Sequence, residues 1–390
     1  MSASSDPGPL FDTQELVRIF LCGDVMTGRG IDQILPFPCD PQIHERYMQS
    51  AEGYVQLAER ANGVIPRAVT LSYIWGAALE ELDRFRPDVR IVNLETSITR
   101  GGRFAPKGIN YRMSPKNAAC LTAADLDCCV LANNHILDFD KTGLLDSLEI
   151  LERLKVKFVG AGRNRTQADL PAVLDIQGGG RVLVFAVGAY SSGIPPSWSA
   201  TDTAPGVRFI KDLSDETAAE IADDIIRQRK SGDLAILSVH WGSNWGFEIP
   251  DAHRRFAHRL IDSAPVSIVH GHSSHHPIAV EVYRNRLILY GCGDLLNDYE
   301  GIAGHEQFLN SLSLMYFVTV QRATGDLAEV VIVPLRIRRF QLVHASRQDV
   351  DLLSKTLDRE CRRLGAGIVP KPDGRFRLSW DRSRTARSNS

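Results

Sequence analysis

Leu16-Val17-Arg18-Ile19-Phe20-Leu21-Cys22-Gly23-Asp24 is a β-prone apolar run that stops at a glycine and a carboxylate. A strand that delivers a charged side chain to its own C-terminal end is the unit of an α/β sheet with a site along its edge. Five further runs repeat the pattern. Residues 89–92 lead into Asn93-Leu94-Glu95, 128–131 into Asn133-Asn134-His135, 234–239 into His240-Trp241-Gly242, 266–269 into His270-Gly271-His272, and 287–290 into Gly291. Segments of helical period lie between them, at 144–154, after the capping start Ser214-Asp215-Glu216-Thr217, and at 253–261. Further strands are expected at 157–159 and 181–187, and at 314–320 and 330–335 as an antiparallel pair around Thr324-Gly325. This order predicts an α/β chain with one mixed sheet or two stacked ones.

The 390 residues are 44% hydrophobic and 24% charged, which suits a soluble globular chain able to bury a large core. Lys plus Arg total 45 against 47 Asp plus Glu, a net charge of -2, so no basic excess points to a nucleic-acid partner. The run at 16–22 is interrupted by Arg18 and too short to cross a bilayer, so no integral membrane segment is expected. Seven scattered cysteines without a C-x-x-C pair read as free thiols in a reducing compartment, which makes the cytoplasm the expected location. The chain divides into a flexible N-terminus at 1–15, a catalytic domain at 16–345, a C-terminal helix at 346–369 and a basic flexible tail at 370–390. Within the domain, residues 36–74 carry Pro36, Pro38, Pro41 and Pro66 and read as an insertion lying over the site as a lid.

Oxygen donors mixed with imidazoles at strand ends suit a harder or borderline divalent ion. Asp24, Glu95, Asn134 with His135, and His240 each follow a predicted strand, and four of the 11 histidines crowd into His270, His272, His275 and His276. Each also has a plain structural reading: a turn aspartate, a helix-start glutamate, a polar turn, a core histidine. His135 with Asp138 or Asp24, and a histidine of the 270s with Asp294, make acid/base pairs. Arg29, flanked by Gly28 and Gly30, is a candidate for holding an anionic substrate group; Trp241 is a substrate contact or a core residue.

Taken together, Gly23-Asp24-Val25-Met26, Asn93-Leu94-Glu95-Thr96, Ala132-Asn133-Asn134-His135 with Asp138, Val159-Gly160-Ala161-Gly162, His240-Trp241-Gly242 and the histidine cluster leading to Tyr290-Gly291-Cys292-Gly293-Asp294 resemble the CapA family. That family is named for poly-γ-glutamate capsule proteins and belongs to the calcineurin-like metallophosphoesterase superfamily. The resemblance runs from about residue 18 to 335. It implies an α/β/β/α sandwich of two mixed sheets flanked by helices, with Asp24, Glu95, Asn134, His240 and His272 holding the metal. It further implies proton transfer by His135, with Asp24, Asp138, His275 and Asp294 as further catalytic groups. The cofactor it implies is one or two divalent ions among Mn, Ca, Mg, Fe and Zn, and the substrate is a peptide or polyglutamate-type chain. Two departures favour a single ion: the superfamily's aspartate-x-histidine is Asp24-Val25-Met26, and its bridging aspartate position falls within Asn93-Leu94-Glu95. Typical capsule proteins are membrane-anchored and carry glycine-x-histidine-proline-histidine where this chain has Gly271-His272-Ser273-Ser274-His275. The activities the resemblance allows are metal-assisted hydrolysis or transfer, peptide epimerisation, or a non-catalytic accessory role in polymer synthesis.

Overall fold

The computed structural model describes residues 15–382. Its first sheet contains β1 (Leu16–Val25), β2 (Val89–Leu94), β3 (Cys128–Val130) and β4 (Lys157–Val159), paired in parallel in that order. The second contains β5 (Arg181–Ala189), β6 (Leu234–His240), β7 (Val266–His272) and β8 (Arg286–Leu289), again parallel. The chain then returns to the first sheet with β9 (Asp294–Leu296), β10 (Leu312–Gln321) and β11 (Leu327–Arg338). β10 pairs antiparallel with both β1 and β11, so each sheet is mixed once its antiparallel edge strands are counted.

Side chains alternate along a strand, so each sheet presents two faces. Val17, Ile19 and Leu21 of β1 meet Val182, Val184 and Ala186 of β5 and Leu234 and Ile236 of β6 in one core between the sheets. The opposite face of β1, with Phe20 and Cys22, is covered by helices Glu52–Asn62, Ala77–Phe85 and Asp140–Arg153 through Val55, Leu82, Leu144 and Leu148. The opposite face of the second sheet is covered by Asp215–Gln228 and Asp251–Ser263 through Ile221, Ile225, Phe256 and Leu260. The result is the expected α/β/β/α sandwich. All seven cysteines are free and buried, and among the described residues no helix is long and apolar enough to cross a membrane.

The C-terminal part differs from expectation. Helix Arg347–Arg362, opened by a Ser346/Asp349 capping box, inserts Val350, Leu353, Leu357 and Cys361 into the inter-sheet core. Residues 370–390 do not all form a tail: strand Phe376–Trp380 pairs with Ala366–Pro370 and with Val331 and Ile332 of β11. Phe376 and Leu378 point inward, while Arg375 and Arg377 point outward to Glu81 and Glu329, so basic side chains disguised a period-2 strand. Residues 1–14 and 383–390 of the two expected flexible ends lie outside the described residues. The 36–74 insertion is packed, not draped: its helix buries Tyr54, Val55 and Ala58 against the first sheet.

One contact ties the architecture to its open end. The backbone N–H of Asp24 donates to Gly293 O at 3.0 Å, which sets Asp24 in register with Asp294. A Cβ on Gly23 would fall 1.6 Å from that same carbonyl oxygen, so only glycine permits the approach. Gly23→Ala is expected to cost about 1–3 kcal/mol in urea unfolding through overpacking. An unchanged unfolding midpoint would show that β1 and β9 separate without penalty.

Candidate metal and acid/base site

The strand ends bring the expected residues together. Asp24 follows Gly23 within β1, Glu95 follows β2, Asn134 and His135 follow β3, His240 ends β6, His272 ends β7, and Asp294 opens β9. All are buried except Asn134, which is part-exposed. Asn93, aligned with Asp24 across β1 and β2, donates through Nδ2 to Asp24 Oδ1 at 2.7 Å and to Glu95 Oε2 at 3.2 Å. Burial beside Asp294 pushes the Asp24 carboxyl up to about 7, and burial beside Asp24 raises Glu95 strongly.

Asp24, His240 and His272 each offer one donor atom within a cluster small enough for a single ion. Ser238 Oγ donates to His270 O at 3.4 Å, leaving its oxygen to accept from His272 Nε2 at 2.6 Å. The carbonyl Oδ1 of Asn134 likewise accepts from His240 Nε2 at 3.2 Å. Both rings then carry their lone pairs on Nδ1, and the two Nδ1 atoms face each other at 2.8 Å with Asp24 Oδ1 4.0 Å from His272 Nδ1. Two lone pairs and a carboxylate converging in a dry site call for a cation, and the outer partners Ser238 and Asn134 orient the ligands as such partners commonly do. Glu95 Oε1 stands 3.9 Å from His240 Nε2, and the Glu95 carboxyl lies against that of Asp24, so Glu95 borders the trio. Asp24 also forms a second such group with His275 and Asp294.

Two histidine–carboxylate pairs flank Asp24. His135 Nδ1 lies 2.6 Å from Asp138 Oδ2, and Lys107 Nζ lies 2.6 Å from the other oxygen of Asp138. Burial, with Lys107 nearby, lowers His135 to about 4, so the ring is neutral at pH 7 with Nε2 free to accept a proton. His275 Nδ1 lies 2.9 Å from Asp294 Oδ1, and Asn297 Nδ2 donates to Oδ2 at 2.7 Å. Burial opposes protonation of His275, but the Asp294 carboxylate outweighs it and raises this histidine above its usual range.

A pocket of about 390 Å³ opens onto both pairs, lined by His135, His275, Asn134, Lys107, Tyr111, Tyr299, Trp245, His305 and Tyr47 among others. Tyr47 comes from the 36–74 insertion, which flanks the pocket. Lys107, Tyr111, Trp245 and Tyr299 were not among the expected site residues. Lys107 and Tyr111 sit in the 99–113 segment, which carries no strand-end pattern; the only pointer to Tyr299 was its nearness to Asp294.

Arg29 and Trp241 both have structural partners. The Arg29 guanidinium donates from Nε and Nη2 to Asp298, at 3.0 and 2.5 Å, and from Nη1 to Glu45 at 2.8 Å, so this pocket-lining residue neutralises two buried carboxylates. Trp241 is 2% exposed, donates to Tyr290 O at 2.9 Å and stacks on His253 at 4.5 Å. Burial takes Trp241 into the core, whereas Arg29 stays on the pocket lining with its guanidinium committed to Asp298 and Glu45.

Two measurements test this geometry. Protein purified without added metal or chelator is expected to carry at least one divalent ion by elemental analysis, lost in Asp24→Ala and His240→Ala; Ser238→Ala is expected to weaken affinity roughly 10- to 100-fold. A wild type that stays empty after loading with Mn, Ca, Mg and Zn would remove the metal centre. The second concerns His253, which burial lowers to about 4 from 6.5. Its folded pKa lies below its unfolded one, so stability is full above about pH 6.5 and is lost as pH falls towards 4, by on the order of 3 kcal/mol. His253→Gln should unfold with a shallower pH dependence across that window, and an unchanged slope would exclude His253 as its source.

The chain matches the family model described as "Bacterial capsule synthesis protein PGA_cap" over residues 18–299. It is 47% identical over 361 residues to a probable polyglutamine synthesis accessory protein of Mycobacterium tuberculosis, covering 92% of this chain and 95% of that protein. It is also similar to the capsule biosynthesis protein CapA of Bacillus anthracis, 23% identical over 50% of this chain and 46% of that one. The PGA biosynthesis protein CapA of Bacillus subtilis is 24% identical over 53% of this chain and 52% of its own length. With the sandwich fold and the strand-end cluster already described, these matches establish that the chain belongs to the CapA family of bacterial capsule synthesis proteins, which has a metallophosphoesterase-like fold.

Proposed function

We propose that this chain is a divalent-metal-dependent enzyme that acts in the cytoplasm on a peptide or polyglutamate-type substrate by acid/base hydrolysis or transfer. The observation that carries the reading is the pair of buried dyads of opposite charge preference, His135–Asp138 and His275–Asp294, facing one pocket beside Asp24. Environments that push two like groups apart in pKa assign one as base and the other as acid. Asp24, His240 and His272 would hold a divalent ion, which would supply Lewis-acid polarisation of the substrate when bound. His135 Nε2 takes the proton of the attacking water or hydroxyl while Asp138 holds Nδ1–H. His275, with Asp294 on Nδ1, presents Nε2–H to the leaving group. The relatives named for polyglutamine synthesis and for PGA biosynthesis supply the polymer context.

A second reading rests on the placement of the dyads. His135 follows a strand of the first sheet and His275 a strand of the second, so the two rings approach the pocket from different layers. That placement suits removal of an α-proton by one ring and its return by the other, which is peptide epimerisation.

Incubating γ-linked glutamate peptides with the metal-loaded protein in D2O separates the readings. Hydrolysis or transfer gives new termini; epimerisation gives deuterium at an α-carbon without cleavage. His135→Ala is expected to lose about 10²- to 10⁴-fold in rate, and Asp24→Ala to lose all turnover. Turnover surviving in Asp24→Ala would contradict the metal-dependent reading. Neither product from a loaded wild type would make the chain a non-catalytic accessory protein.

A further inference from the structure

We propose that Tyr299 is the hydrogen-bond donor to the substrate oxygen that gains negative charge during turnover, and that Tyr111 is a positioning residue acting through it. The inference rests on the acid/base reading of the pocket and adds a catalytic group to it.

The argument begins with where each phenol proton goes. Tyr111 O–H donates to Tyr299 Oη at 3.0 Å, so its proton is used. Tyr299's own proton faces Met26 Sδ at 3.8 Å, a weak thioether acceptor. A strong donor in a mostly buried place, without an oxygen to receive its proton, stands ready for a ligand atom. Tyr299 lines the pocket, so the ligand atom can arrive there.

The rings around it place that donor between the two proton-moving groups. Tyr299 meets the His275 ring edge-on, centroids 5.4 Å apart at 83°, and Tyr111 meets the His135 ring at 4.6 Å and 78°. The phenol pair therefore spans from the base dyad to the acid dyad. Behind it, Arg29 stacks over Tyr111 with its Cζ 4.5 Å from the ring centroid and is fixed by Asp298 and Glu45. A hydrogen bond received from Tyr111 polarises the Tyr299 hydroxyl and strengthens it as a donor. Burial raises the Tyr299 pKa, so the phenol keeps its proton.

The chemistry balances without Tyr299 changing its protonation state. As His135 takes a proton from water or from an α-carbon, the substrate carbonyl oxygen receives the displaced electron pair. Tyr299 O–H donates to that oxygen while its own O–H bond stays intact. His275 then gives its proton to the leaving nitrogen, or to the opposite face of the α-carbon, and the carbonyl re-forms. Preorganised donors of this kind act mainly on the transition state.

The test uses Tyr299→Phe, Tyr111→Phe and the double variant in the full chain, loaded with metal and assayed with γ-linked glutamate peptides. Metal content is read by elemental analysis to confirm an intact site. Tyr299→Phe is expected to lower kcat by about 100-fold with KM changed little. Tyr111→Phe should show a smaller loss of the same kind, and adding it to Tyr299→Phe should cost nothing further. A Tyr299→Phe enzyme with kcat within about twofold of an active wild type, or a loss confined to KM, overturns the inference and leaves the acid/base reading standing. A metal-loaded wild type with no turnover overturns that reading and the inference with it. Should Tyr299→Phe fold poorly, Met26→Leu decides: this variant removes only the thioether, and the free donor then predicts kcat at least equal to wild type, whereas a loss would contradict it.

Discussion

Six carboxylates are buried at one end of this molecule, and the cost of keeping them out of water organises everything near them. Asp24, Glu95, Asp138, Asp294, Asp298 and Glu45 are each at most 2% exposed. A buried charge must be paired, protonated or bound to a cation. Arg29 answers for Asp298 and Glu45, Lys107 for Asp138 beside the neutral His135 ring, and His275 for Asp294. For Asp24 and Glu95, burial outweighs the attraction of His275 and of Lys107, and both carboxyls are raised. Those two carboxyls lie where His240 and His272 turn Nδ1, and a divalent ion bound there would relieve the cost of burying them.

The sandwich makes that concentration of charge possible. Parallel strands end on the same side of their sheet, and two stacked sheets bring two such edges to one line. Within the first sheet, β1 and β9 meet at Gly23 and Gly293, which brings Asp24 against Asp294, so the Asp24–His240–His272 and Asp24–His275–Asp294 groups share one carboxylate. The superfamily's histidine in the first motif is here Met26, a fully buried thioether beside the Tyr299 hydroxyl.

Much of the pocket wall is aromatic. Trp245 stacks on His305 at 3.9 Å with nearly parallel rings and also meets the His275 ring at 5.5 Å, and Tyr47 contributes from the packed 36–74 insertion. None of the pocket-lining residues is an aspartate or glutamate. The carboxylates stay behind the surface and the pocket shows donors, cations and rings, an arrangement compatible with a carboxylate-bearing chain.

The strands, the helices and the strand-end candidates were legible along the chain, because period-2 and period-3.6 burial are local patterns and each strand's last polar residue is its neighbour in sequence. The tail strand at Phe376–Trp380 escaped because its outward arginines resemble a solvated tail when read as composition. What the sequence by itself determined was the α/β order and a surplus of ligating side chains. Tertiary structure decided which of them meet. Arg29 finds Asp298 across 269 residues, His240 finds Asn134 across 106, and Tyr111 finds Tyr299 across 188. Such pairings depend on how two sheets stack and on which protons remain unpartnered after packing, and neither is a property of any local stretch of chain.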